Sequence, residues 1–97
     1  MLKVRNLIGT YGKEIENQFV IYNDNITVFQ SGVSTIIEID RDKKIIKVFP
    51  MYNYGDVVLY RNLFMRTQGF YDMATINGFN YYYNLGAIGD YEIIDGN

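Results

Sequence analysis

Cysteine and histidine are both absent from this 97-residue chain, and each absence excludes a class of chemistry. Without cysteine there are no disulfides, no thiolate metal ligands and no thiol nucleophile. Without histidine, the side chain that most often transfers protons near neutral pH is missing as well. We therefore expect an intracellular domain that is stabilised by packing and hydrogen bonds alone.

Long apolar segments are also missing. The N-terminal stretch MLKVRNLIGTYGKEIENQ has no continuous apolar core of the kind that a secretion signal needs. No segment approaches the roughly 18 apolar residues of a membrane span. The length suits one small domain, so we expect residues 1–97 to fold as a single unit in the cytoplasm, without a membrane partner.

The remaining nucleophiles and carboxylates have no catalytic setting. Neither serine lies in a G-x-S-x-G context. Asp40 and Asp42 begin like a calcium loop, but lysine occupies the third ligand position, and the glycine and the closing glutamate are missing. The pattern Asp90-x-Glu92-x-x-Asp95 is typical of an exposed acidic segment. We therefore expect no catalysis, no metal site and no cofactor.

Charge is distributed unevenly along the chain, although the net charge is only −2. Every lysine and arginine lies in residues 1–66, whereas residues 67–97 contain acids and no base. An acidic segment attracts a basic partner and repels the phosphates of nucleic acid.

Hydrophobic periodicity predicts a short N-terminal helix. Val4, Leu7, Ile8 and Tyr11 follow the i, i+3, i+4, i+7 spacing of one helix face, and Gly12 is placed to end that helix.

Two turn signals predict antiparallel hairpins. The segment QFVIYNDNITVFQ has two β-rich runs around Asn23-Asp24-Asn25, residues that tolerate left-handed turn conformations. STIIEID and KIIKVFP flank the polar turn Arg41-Asp42-Lys43 in the same way. Together they predict an antiparallel β meander of three to five strands.

A second helix is predicted near residues 56–68. Apolar side chains recur there at helical spacing, with Asp56 placed to cap the helix and Gly69 placed to end it. Further along, Phe79–Tyr83 and Tyr91–Ile94 are predicted as two short strands. The predicted fold class is therefore α+β, in the order helix, meander, helix and terminal strand pair.

The aromatic run GFNYYYN, residues 78–84, has two interpretations. As a strand it would place Phe79, Tyr81 and Tyr83 on one face and Tyr82 on the other. One interpretation makes it the base-stacking strand of a sheet like that of an RNA-recognition motif, although no lysine or arginine opens or follows it. The other packs the three alternate rings in the core and leaves Tyr82 outside.

Ten tyrosines and six phenylalanines are more than a small core can bury with every hydroxyl satisfied. Exposed tyrosines beside acids are typical of a surface that binds a basic protein, because tyrosine adds contact area and the acids steer association. The predicted partner-binding residues are Tyr52, Tyr54, Asp56, Tyr71, Asp72, Tyr82, Asp90, Tyr91, Glu92 and Asp95.

Three segments resemble small accessory proteins of phages and mobile elements of low-GC Gram-positive bacteria. They are VRNLIGTYGKEIENQFVIYND, ITVFQS and MYNYGDVVLYRNLFMRTQGF, and the resemblance covers much of residues 4–70. A composition of 13 Ile, 10 Asn and 10 Tyr against two Ala agrees with an AT-rich coding sequence. Some such proteins are anti-CRISPR proteins, which often occupy the basic nucleic-acid groove of a CRISPR nuclease. The resemblance implies evasion of host defence inside the bacterial cell, and it carries over no site residue.

The leading hypothesis is a non-catalytic inhibitor of a host nucleic-acid-handling protein, most concretely a CRISPR nuclease. Its acidic, tyrosine-rich third would compete with nucleic acid for a basic surface. One alternative is a nucleic-acid-binding accessory protein that uses the aromatic strand 79–83 and the turn Lys43–Lys47. Another is a phage structural or assembly component whose aromatic residues pack in a homo-oligomer.

Overall fold

A mixed β-sheet is the framework of the molecule. The computed structural model of the chain describes residues 1–49 and 55–96. Within these residues there are seven strands: β1 Lys3–Ile8, β2 Glu14–Tyr22, β3 Ile26–Ser31, β4 Ser34–Asp40, β5 Ile45–Val48, β6 Ala87–Ile88 and β7 Tyr91–Asp95. They form one sheet in the order β1-β2-β3-β4-β5-β7-β6. Neighbouring strands are antiparallel except β5 and β7, which run parallel. The α+β class is confirmed, and the sheet is larger than the predicted three to five strands.

Both predicted turn signals connect antiparallel strands. In the β2–β3 turn, Asn23 Oδ1 accepts hydrogen bonds from two backbone N–H groups at 2.8 and 2.9 Å. In the β4–β5 turn, Asp40 Oδ1 does the same at 2.9 and 3.1 Å. A short polar side chain that binds the backbone just ahead of it stabilises a tight turn. Asn23 lies in the predicted turn Asn23-Asp24-Asn25, and Asp40 directly precedes the predicted turn Arg41-Asp42-Lys43.

The predicted N-terminal helix is wrong, because Lys3–Ile8 form β1 and pair with β2. The strand buries Leu7 completely and leaves Val4 exposed. Apolar residues at these positions are compatible with a helix face and with a strand, and β-branched Val4 and Ile8 favour the extended form. Pairing with β2 stabilises the extended form, because the backbone groups of β2 form hydrogen bonds with those of β1.

Helices cover one face of the sheet. Between β5 and β6 lie α1 Gly55–Thr67, a short 3-10 helix Tyr71–Met73 and α2 Ile76–Leu85. The helix predicted near residues 56–68 is confirmed as α1. Its end is fixed by Gly69, whose φ of 89° lets the N–H of Phe70 donate to the carbonyl of Met65 at 2.9 Å. No helix in the described residues is long and apolar enough to cross a lipid bilayer.

The predicted strand Phe79–Tyr83 is wrong, since these residues lie within α2. Thr75 caps the helix by accepting a hydrogen bond from the N–H of Gly78 at 3.0 Å, and Gly86 ends it with a φ of 75°. The predicted strand Tyr91–Ile94 is confirmed as part of β7.

The core lies between the helices and the covered face of the sheet. Strand residues that share this face and are buried include Val20, Phe29, Ile37, Ile39, Ile46, Val48 and Ile93. From α1, Phe64 stacks on Phe29 with 5.6 Å between ring centroids. The opposite face carries an ion pair between Lys47 and Glu38, whose charged atoms are 3.6 Å apart. Packing of the helices on the covered face also positions the segments that connect them.

Candidate functional site

A groove of about 460 Å³ opens where the end of α1, the side of α2 and the β6–β7 turn meet. Its lining is Gly69, Phe70, Tyr71, Asp72, Tyr82, Ile88, Gly89, Asp90 and Tyr91. We call it the aromatic groove. Most of these side chains are aromatic or acidic, and they come from three segments that are separate in sequence.

Five of the predicted partner-binding residues lie together in the aromatic groove: Tyr71, Asp72, Tyr82, Asp90 and Tyr91. Tyr71 is 69% exposed, and both aspartates are exposed. Tyr82 is half-buried, and Tyr91 is buried. The groove therefore combines accessible rings and carboxylates with the buried ring of Tyr91.

Three other predicted residues lie elsewhere. Glu92 follows Tyr91 in β7, so its side chain lies on the opposite face of the sheet. Asp95 is exposed at the end of the same strand, and Asp56 is exposed in the first turn of α1. The last two predicted residues, Tyr52 and Tyr54, lie outside the described residues.

The base of the aromatic groove is a pair of rings held by cations of the same chain. The centroids of Phe70 and Tyr91 are 5.1 Å apart, and the ring planes are nearly perpendicular. The guanidinium carbon of Arg41 lies 6.0 Å from the Phe70 centroid, and Lys44 Nζ lies 5.1 Å from the Tyr91 centroid. Arg41 also donates a hydrogen bond to Gln68 Oε1 at 2.8 Å. The β4–β5 turn thus holds both rings in place.

Backbone contacts fix the segments of the aromatic groove relative to one another. Gly78, in the first turn of α2, lies so close to the carbonyl oxygen of Asp72 that an added Cβ would overlap it. Beyond the end of α2, the N–H of Ile93 donates to the carbonyl of Gly86 at 2.8 Å. These two contacts tie the 3-10 helix to α2 and α2 to β7.

The structure separates the rings of the aromatic run. Phe79 is buried and stacks on Tyr83, with 6.2 Å between centroids. Tyr81 is 60% exposed, so the expectation that it shares an inner face with Phe79 is wrong. Tyr82 packs edge-on against Tyr81 at 5.1 Å and lines the groove. Because these residues form a helix, they do not make the base-stacking strand of an RNA-recognition motif.

Negative charge in the aromatic groove comes from Asp72 and Asp90. Among the described residues, neither carboxylate forms an ion pair with a lysine or arginine. In that same part of the chain, no three metal-binding side chains lie close enough together to hold an ion. The two carboxylates are therefore available to a cationic ligand beside the rings.

Sequence reasoning missed two apolar members of the lining. Phe70 and Ile88 carry no charge or hydroxyl, and nothing in the sequence distinguishes them from core residues. Gly69 was recognised as the end of a helix, and the sequence gives no sign that the chain leaving it enters a groove.

A second groove of about 380 Å³ lies between the β1–β2 turn and α1. Its lining includes Ile15, Leu59 and Leu63 together with one cation, Arg66. It contains none of the predicted partner-binding residues.

Comparisons of the chain with protein-family models, curated proteins and solved structures found no match. The function is therefore inferred from the geometry and chemistry of the aromatic groove.

Proposed function

We propose that the chain is a non-catalytic binding protein whose aromatic groove receives a basic segment of a partner protein. One observation supports this most directly: Tyr71, Asp72, Tyr82 and Asp90 converge there from three separate segments. Tyrosine rings provide large contact area with few rotatable bonds, and carboxylates attract lysine and arginine. The same combination offers nothing for bond-breaking chemistry, which needs an activated nucleophile or an acid–base pair.

The resemblance of residues 4–70 to small phage accessory proteins suggests the kind of partner. We propose a host nucleic-acid-handling protein, most concretely a CRISPR nuclease with a groove lined by lysine and arginine. A carboxylate-bearing surface can occupy such a groove in place of phosphates. The chain would then be an anti-CRISPR-like inhibitor that acts in the cytoplasm of the host bacterium.

Binding to a purified CRISPR nuclease of a low-GC Gram-positive bacterium tests this proposal. Biolayer interferometry is carried out with the nuclease alone and with the nuclease already loaded with guide RNA and target DNA. We expect the chain to bind, to compete with target DNA and to inhibit cleavage. Absence of both binding and inhibition across a panel of such nucleases would contradict the proposed partner.

A pair of matched double variants tests the proposed surface. Asp72→Asn with Asp90→Asn removes two charges from the aromatic groove and should weaken binding. Glu16→Gln with Asp24→Asn removes two exposed charges from β2 and the β2–β3 turn, away from the groove, and should leave binding unchanged. Equal weakening by both pairs would show that overall charge, and not the groove, determines binding.

The nucleic-acid-binding alternative is tested by fluorescence anisotropy with short DNA and RNA oligonucleotides. We expect no measurable binding at physiological salt, because the accessible rings of the groove lie beside two carboxylates and phosphate contacts need cations. Micromolar binding that weakens steeply with added salt would favour the alternative.

A further inference from the structure

We infer that the aromatic groove binds a single arginine side chain of the partner, in preference to lysine. This inference rests on the proposed function, because it specifies the chemistry of the basic segment. It follows from which rings are free to accept a cation, from the number of carboxylates beside them and from cation–ring contacts elsewhere in the chain.

The rings available to a partner are those of Tyr71 and Tyr82. The two rings at the base of the groove already interact with Arg41 and Lys44. Among the described residues, no cation of this chain lies over the ring of Tyr71 or Tyr82. Both line the groove, and Tyr71 is largely exposed, so a side chain that enters the groove can contact these two rings.

Two carboxylates for one ligand favour a guanidinium over an ammonium group. Asp72 comes from the 3-10 helix and Asp90 from the β6–β7 turn, so they approach the groove from different segments. A guanidinium has five N–H donors in a plane and can bind two carboxylates while its face rests on a ring. An ammonium group is compact and strongly hydrated, and it gains less from a flat aromatic contact.

The chain itself contains both kinds of contact for comparison. The guanidinium carbon of Arg61 lies 3.4 Å from the Phe79 centroid, which is the distance of direct stacking. Lys44 Nζ lies 5.1 Å from the Tyr91 centroid. Other arginine–ring contacts of the chain are longer, with 5.9 Å at Arg5 and 6.0 Å at Arg41. The Arg61 contact therefore shows that a guanidinium can approach a ring of this fold to stacking distance, as its planar shape allows.

The size of the aromatic groove agrees with one extended side chain. Its volume of about 460 Å³ is at the small end of the range for small-molecule sites and is too small for a helix or a hairpin. A partner segment would therefore lie across the groove and insert one residue into it.

The test uses three capped glycine pentapeptides that differ only in the central residue, which is arginine, lysine or citrulline. Each is titrated into the isotopically labelled full chain, and backbone amide resonances are followed by NMR. We expect the arginine peptide to shift resonances of residues 69–72 and 88–91, with a Kd about tenfold lower than that of the lysine peptide. Citrulline has the shape of arginine without the charge, so its peptide should produce no shift.

Two variant pairs locate the effect. Asp72→Asn with Asp90→Asn should abolish the preference for arginine, and Glu16→Gln with Asp24→Asn should preserve it. Equal affinity for arginine and lysine peptides would overturn the inference and leave the proposed function standing, because the groove would then recognise charge alone. Absence of groove shifts with every peptide would also overturn the inference. If nuclease binding proved insensitive to the groove variants as well, the proposed function would fail with it.

Discussion

The guanidinium carbon of Arg61 lies 3.4 Å from the centroid of the Phe79 ring, and this contact joins α1 to α2 in the interior of the molecule. Arg61 is 2% exposed and Phe79 is 3% exposed. Burial lowers the pKa of Arg61 to about 10. Because this value is still well above neutral pH, the side chain remains charged there. A charged group this deep in a small core is tolerated when the surrounding groups stabilise the cation, and the aromatic face provides part of that stabilisation.

Replacing Phe79 with leucine should reduce the free energy of unfolding by about 2 kcal/mol, because it removes both buried area and the cation–ring contact. A double-mutant cycle with Arg61→Met should give a coupling of about 1 kcal/mol in urea denaturation. Phe19→Leu, on the opposite face of the sheet, provides the control and should show no coupling to Arg61→Met. A cycle without coupling between Arg61 and Phe79 would contradict the stabilising contact.

Arg61 should make stability depend on pH only in alkaline solution. Burial lowers its pKa from the ordinary value of an exposed arginine, as in the unfolded chain, to about 10 in the fold. Below that range both states hold the proton, so the contribution of Arg61 to the unfolding free energy is constant. Between the two pKa values the unfolded chain binds more protons, so the contribution becomes more favourable as pH rises.

The measurement is the difference in unfolding free energy between the wild-type chain and Arg61→Met at several pH values. We expect it to be constant from about pH 7 to about pH 9 and to change in favour of the wild-type chain above about pH 10. A difference that already changes between pH 7 and pH 9 would contradict the assigned direction.

Gly78→Ala should destabilise the fold, although alanine normally stabilises a helix relative to glycine by about 1 kcal/mol. The new Cβ would overlap the carbonyl oxygen of Asp72 and lie 2.8 Å from Thr75 Oγ1. We expect a loss of about 2 kcal/mol in urea denaturation, because backbone must move to make room. Asn80→Ala, exposed in the same helix, should be neutral or slightly stabilising. A more stable Gly78→Ala chain would show that the contact with Asp72 is not tight.

The groove carboxylates should act mainly on the rate of association with the partner. Asp72→Asn with Asp90→Asn should lower the association rate constant and flatten its dependence on salt, because exposed charges steer the encounter through a screened field. Stopped-flow or interferometry at low and physiological salt measures both effects. An effect confined to dissociation would indicate that the carboxylates are fully buried in the complex.

Two exposed tyrosines distinguish the groove from the neighbouring surface. Tyr71→Ala should accelerate dissociation at a cost of about 2 kcal/mol of binding free energy, whereas Tyr81→Ala should have little effect. Neither should change the melting temperature much, because both side chains are largely exposed. Equal losses of binding would extend the interface along α2 beyond the aromatic groove.

Local chemistry explains which elements could be predicted from the sequence. The turns at Asn23 and Asp40 are stabilised by hydrogen bonds to adjacent backbone groups, so the residues themselves indicate the turn. The end of α1 could also be predicted, because it needs only a glycine that adopts the left-handed conformation, which is Gly69. Each of these features depends on a few consecutive residues.

The two wrong predictions have different causes. Residues 3–8 form a strand because β2 supplies the pairing partner, and single-strand periodicity does not contain that information. A strand is predicted for residues 79–83 because aromatic residues have high β propensity. Thr75, however, caps a helix before this segment, and Gly86 ends the helix after it. These flanking signals were present in the sequence and outweigh the β propensity.

Only part of the candidate site could be predicted for a similar reason. Residue type and charge pattern identified five lining residues one by one, namely Tyr71, Asp72, Tyr82, Asp90 and Tyr91. Their convergence depends on how α2 packs between the 3-10 helix and β7, which is a tertiary property. The apolar members of the lining became visible only with that packing.

The parallel pairing of β5 with β7 joins strands that are far apart in sequence, and this separation should affect how the molecule assembles. Strands β1 to β5 pair with their neighbours in sequence, so each pairing closes a short loop and forms quickly. β7 pairs with β5 across a connection that contains α1 and α2, and closing so long a connection should delay this pairing. The aromatic groove is built from that connection and from the turn that precedes β7. We therefore expect the groove to be completed late in folding, and a bound partner to oppose the detachment of β7.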